Sequence, residues 1–88
     1  MPGVSRVNQD TAGGTIIEAL APTVFVNNKP ITVQGAHIQG HGDAPHASPV
    51  MVDHSGTVFA NNIGVCREGD KASCAHPATG SGNVFAGG

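Results

Sequence analysis

Charge, aromatic residues and long apolar runs are all scarce in this chain of 88 residues. Asp, Glu, Lys and Arg make up 11% of it with a formal net charge of −2, so no basic face is expected to neutralise phosphates and nucleic acid is a poor candidate partner. There is no Trp, no Tyr and only three Phe. No stretch approaches the roughly 18 apolar residues of a membrane span, and Met1 to Arg6 begins no apolar run of signal-peptide length. A product of the cytoplasm without a secretory address is expected. No segment combines helical apolar periodicity with caps; Thr15 to Leu20 comes nearest, and Pro22 stops it. Gly-x-Ser-x-Gly, a phosphate loop and His-Glu-x-x-His are all missing, so an enzyme is not expected.

Two cysteines, Cys66 and Cys74, are too few for a disulfide framework. A chain of this size buries only about two-thirds of its unfolded surface and needs a staple beyond its apolar core. Five histidines beside the two cysteines make a transition metal the better staple, because metal binding supplies folding free energy directly.

What the chain does contain is a repeat. Thr23-Val24-Phe25-Val26-Asn27-Asn28, Thr57-Val58-Phe59-Ala60-Asn61-Asn62 and Asn83-Val84-Phe85-Ala86-Gly87-Gly88 share one word, and every Phe falls in it. The first two copies are 34 positions apart, and the same offset carries Gly35 onto Gly69. Asp10 precedes Thr23 by 13 positions and Asp70 precedes Asn83 by 13. Arg6 and Arg67 stand just before those aspartates, with one residue inserted around Asn8-Gln9 in the first copy. Each word is β in type and ends in Asn-Asn or Gly-Gly, residues that tolerate positive φ and close tight hairpins. The expected pairs are Thr23 to Val26 with Ile31 to Val33, and Thr57 to Ala60 with Gly64 to Arg67. Gly35 to Pro49 is rich in Gly, His and Pro and reads as a long connector. Asp10 and Asp70, placed by the repeat after Arg, are expected to accept backbone N–H bonds in turns rather than act as a catalytic pair.

The Thr-Val-Phe-x-Asn-Asn hairpins, Arg67-Glu68-Gly69-Asp70, His41-Gly42 with His46 five residues on, and Ser73-Cys74 followed by Gly80 to Phe85 together resemble the PAAR-repeat proteins. These form the pointed tips of contractile injection machines, on phage tail spikes and type VI secretion spikes. The resemblance runs from Arg6 to Gly88 and implies one domain, residues 1–88: an all-β, three-repeat β-hairpin cone with pseudo-threefold symmetry and a metal near the apex. It implies a structural, membrane-piercing tip located on a virion tail or a bacterial contractile apparatus. The tip would be monomeric alone and would sit as one copy on a trimeric β-helical spike, with transient contact with a target membrane. A small zinc-dependent enzyme or metal-binding module is the alternative. The tetrapeptide Pro-Ala-Ala-Arg itself is absent: Pro30-Ile31-Thr32-Val33 and Gly64-Val65-Cys66-Arg67 stand in its place, and Gln34-Gly35-Ala36 replaces the usual Gly-Asp.

The family's metal, usually zinc with iron the other candidate, is held by three His and one Cys. Position by position this implies His41, His46 and Cys74. Many members carry another His soon after the first Asp, but Asp10 is followed here by Thr11-Ala12-Gly13-Gly14. His76, two residues beyond Cys74 and braced by Pro77, is preferred as the fourth ligand; His37 and His54 are the other candidates. His54, just before a strand, is expected to face solvent, and Cys66 to be a small buried side chain rather than a ligand.

Overall fold

The computed structural model describes Met1–Gly87 and contains only short strands and turns over that range, with no helix. β1 (Thr11–Ala12) pairs with β2 (Gly14–Thr15), β3 (Ala21–Val26) with β4 (Lys29–Ile31), and β5 (Phe59–Ala60) with β6 (Ile63–Gly64), all antiparallel. Val26 faces Lys29 across Asn27-Asn28, and Ala60 faces Ile63 across Asn61-Asn62. All four Asn have φ between 50 and 67°, the pair of left-handed conformations that a two-residue type I′ turn demands.

Both returning strands start earlier than the sequence suggests. Lys29–Ile31 and Ile63–Gly64 close the hairpins, because a two-residue turn must pair the residues that flank it. Thr32-Val33 and Val65 to Arg67, expected within hairpins, are used elsewhere. In the third copy, whose last residue Gly88 lies outside the described residues, the partner strand comes from the other end of the chain. Phe85 bridges Gly3 as Phe25 faces Pro30 and Phe59 faces Gly64. Val4 N donates to Val84 O at 2.8 Å and Ala86 N to Pro2 O at 3.1 Å.

The segments released from the hairpins meet in the middle of the molecule. Ser5 N donates to Cys66 O (3.0 Å), Cys66 N to Thr32 O (2.9 Å) and Thr32 N to Ser5 O (3.0 Å), which closes a ring of three. A second ring lies beside it: Val7 N to Pro30 O, Gln34 N to Gly64 O and Glu68 N to Gly3 O, at 2.8, 2.9 and 2.7 Å. Residues of these segments belong to two apolar clusters. Val26, Ala60 and Ala86, the same position of the three words, share one cluster with Val4, Ile31, Val33 and Val65. Ile16, Ile38, Met51, Ala72, Cys74 and Ala78 belong to another.

The Arg-Asp turns feed the rings. Asp10 Oδ2 accepts from Arg6 N and Nε, both at 2.8 Å, and Asp70 Oδ2 accepts from Arg67 N at 2.9 Å and Nε at 3.0 Å. Each carboxylate thus satisfies a backbone N–H, the role expected from its place in the repeat, and its hydrogen bond holds the guanidinium above its ordinary pKa. The middle copy makes the same turn without charges: Ala36 N donates to Val33 O, and Gly35 has φ 90° where Gly69 has 89°. Asn8, beside the inserted residue of the first copy, takes φ 62°.

The side chains at the inner ring supply a stability test. Ser5 Oγ donates to Thr79 O, and Cys66 Sγ lies 3.4 Å from Asp53 O, but the buried hydroxyl of Thr32 has no partner. An orphaned hydroxyl costs about 1–3 kcal/mol. Thr32→Val is therefore expected to raise unfolding free energy by about 1 kcal/mol, whereas Ser5→Ala lowers it by a similar amount. Urea denaturation of the two variants beside the parent chain measures both signs.

Candidate metal centre

Four side chains from two connectors converge. His41, His46, Cys74 and His76 each present a ligand atom, and those atoms lie within 4.8 Å of one another. His41 and His46 come from a turn in which His41 N donates to His46 O at 2.9 Å and His46 N to Asp43 O at 2.7 Å; its Ala44–Pro45 bond is cis. Cys74 and His76 flank Ala75, whose φ is 71°. That left-handed residue lets both neighbours aim inward, and Ala75 N closes the turn onto Ala72 O at 2.9 Å.

His41 Nε2 is 2.9 Å from His76 Nδ1, 3.2 Å from His46 Nδ1 and 3.7 Å from Cys74 Sγ, and Cys74 Sγ is 3.6 Å from His76 Nδ1. Zinc holds nitrogen at about 2.0–2.1 Å and thiolate sulfur at about 2.3 Å in a tetrahedron, which separates the donors by about 3.3 Å for N to N and about 3.6 Å for N to S. These four spacings match those edges to within about 0.4 Å, and the two remaining pairs, His46 with Cys74 and His46 with His76, lie within 4.8 Å. Three imidazoles and a thiol are a donor set that zinc takes. His41 Nδ1, 3.1 Å from Gln39 O, places its proton on that carbonyl and leaves the Nε2 lone pair directed at the cluster, the arrangement that orients metal-bound imidazoles. Cys74 is 6% exposed while the three imidazoles are half-buried, so the thiol sits on the protein side of the site.

The two other histidines lie elsewhere. His37 is exposed and pairs with Glu18, Nδ1 to Oε1 at 2.8 Å; its hydrogen bond holds the Glu18 carboxyl below the ordinary range. His54 does not face solvent as expected. It is half-buried against Gly64, with Nδ1 2.7 Å from Ser55 O, because the absence of a side chain at Gly64 leaves room for the ring. Cys66 is fully buried, and that burial pushes its thiol up to about 12, with Asp70 adding to the effect. A thiol so raised stays protonated at neutral pH, and Cys66 is not among the four donors that converge. Gln39 and Ala75 went unread in the sequence: one acts through a carbonyl and the other through a dihedral angle, and neither has a residue-type signature.

No protein-family model matches the chain, and no curated protein matches it. The expected pattern of substitutions follows from the geometry. His76→Ala and His41→Ala each leave three donors and are expected to weaken zinc binding to a similar extent, by at least about 100-fold. His37→Ala and Cys66→Ala are expected to leave it unchanged. Competition against a chromophoric chelator measures all four.

Proposed function

We propose that this chain is a PAAR-repeat spike tip: a structural, membrane-piercing cap that sharpens the trimeric β-helical central spike of a contractile injection machine, in a phage tail or a type VI secretion apparatus. The observation that carries this reading is the cyclic order of the three β units. Ser5, Thr32 and Cys66 hand backbone hydrogen bonds around a ring, and the Val-Phe word recurs at three places about it. A pseudo-threefold axis through that ring would let one chain meet three identical strands. Phe25, Phe59 and Phe85 are 59, 55 and 49% exposed, while the residue after each is buried, so every word presents the same apolar side chain outward. The molecule measures 32 × 23 × 22 Å, one long axis and two nearly equal short ones, as a blunt cone would.

Zinc at His41, His46, Cys74 and His76 would serve as the staple. With four protein donors a tetrahedral ion has no position left for water, which favours a structural centre over the alternative of a small zinc-dependent enzyme. The turn carrying His41 and His46 has little apolar burial of its own: Gly42 to Pro45 are all exposed. Coordination bonds then hold rigid what burial does not.

Freshly purified protein is expected to contain about one zinc per chain, and a strong chelator to lower its melting temperature. On light scattering the protein is expected to be monomeric alone and to bind one copy per spike trimer. Removing a half-exposed Phe forfeits about 1 kcal/mol of burial at such an interface. Phe25→Ser, Phe59→Ser and Phe85→Ser should each weaken docking roughly fivefold, and the triple variant should abolish it at micromolar concentration without lowering the melting temperature. A stable homotrimer, or a complex of three tips per trimer, overturns the reading.

A further inference from the structure

The turn between β1 and β2 supplies no ligand, yet it lies directly against two of the four donors, His41 and His76. Gly13 joins the two strands with φ +87°. A methyl group built on its Cα would collide with His76 Nδ1 and come within 2.6 Å of His41 Nε2. Those are the two nitrogens that stand 2.9 Å apart in the cluster. On the neighbouring Gly14 a Cβ would run into Gln39 O and approach His41 Nδ1 to 3.0 Å, the two groups that fix the tautomer of His41. The main chain of this turn therefore occupies the space along one edge of the donor tetrahedron, and it does so only because both residues lack a side chain.

We propose that Gly13 is a positioning residue of the metal centre. Its bare Cα is a backbone wall that lets the His41 and His76 imidazoles converge and bars a further ligand from the edge between them. This inference rests on the reading of the cluster as a metal site and adds a determinant that no donor-counting argument contains. A side chain at this position would drive His76 and His41 apart even though all four ligands remained in the chain.

The molecule contains its own controls for the conformational cost. Gly35 and Gly69 have φ of +90° and +89°, matching Gly13. A Cβ on Gly69 meets nothing within 4 Å, and one on Gly35 meets only Leu20 Cδ1 at 3.5 Å. Alanine at Gly69 therefore carries the left-handed backbone penalty alone, whereas alanine at Gly13 carries the same penalty and the collision as well.

The test uses the full chain as parent, Gly13→Ala and Gly69→Ala, titrated with zinc and with cobalt(II). Gly69→Ala is expected to bind zinc as the parent does and to give the same cobalt d–d spectrum, the signature of tetrahedral coordination by three nitrogens and a thiolate. Gly13→Ala is expected to bind zinc about 10- to 100-fold more weakly, as residues that orient ligands do, with an altered cobalt spectrum. Equal affinity and identical spectra for the two variants overturn the proposal while leaving the metal reading intact. A parent chain that binds neither ion removes the metal reading itself, and this inference with it. If Gly13→Ala does not fold, thermal unfolding of Gly13→Ala/His76→Ala beside His76→Ala decides. Removing the closest ring is expected to restore folding to the level of His76→Ala, and a double variant as unstable as Gly13→Ala overturns the wall.

Discussion

The three backbone hydrogen bonds among Ser5, Thr32 and Cys66 are the constraint on which the rest of the structure depends. A buried N–H or C=O must find a partner, and three short segments far apart in the chain satisfy one another only by closing into a ring. Closure ties together two-stranded hairpins that would be marginally stable in isolation. It also restricts what fits at the centre. Ser, Thr and Cys are small enough for three chains to approach, and all three are fully buried. The apolar residues are consequently divided into two clusters rather than one, which limits what burial alone can stabilise in a domain of this size.

Local turn chemistry delivers those segments to the ring. The Arg6–Asp10 and Arg67–Asp70 pairs, largely buried, hold their turns through charge-assisted bonds that also satisfy a backbone donor. The middle copy reaches the same geometry with Val33 and Ala36, both fully buried, so the turn itself does not require an ion pair. That agrees with the small net value of buried ion pairs relative to apolar residues of matching volume. The Ser55 and Ser81 hydroxyls provide a second recurring device. Each accepts from the backbone N–H groups two and three residues on, and so anchors the start of a Val-Phe word.

At the His/Cys cluster local strain and tertiary convergence work together. Ala75 in the left-handed region costs about 1–2 kcal/mol, a conformation that persists only where the surroundings over-determine it. Here it turns Cys74 and His76 to the same side, toward His41 and His46 more than 25 positions earlier in the chain. In the proposed holo-protein the coordination bonds would offset that strain, while the bare Gly13 keeps the approach clear.

The sequence by itself determined the β character of the chain, the three Val-Phe words, the Asn-Asn turns and the turn role of Asp10 and Asp70. Each of these depends on residues within a few positions of one another, where φ preferences and side-chain reach decide the outcome. It also indicated His41, His46 and Cys74 through a family resemblance, and His76 through its closeness to Cys74. Tertiary structure alone decided how Thr32-Val33 and Val65 to Arg67 are used, because a ring of three segments competes with hairpin extension only once all three are present. It alone decided that Met1 to Gly3 completes the third word, that His37 pairs with Glu18, and that His54 rests on Gly64. The contact of Gly13 with the cluster was illegible for the same reason. A missing side chain becomes informative only when the atoms that fill its space are known, and those atoms belong to residues 28 and 63 positions away.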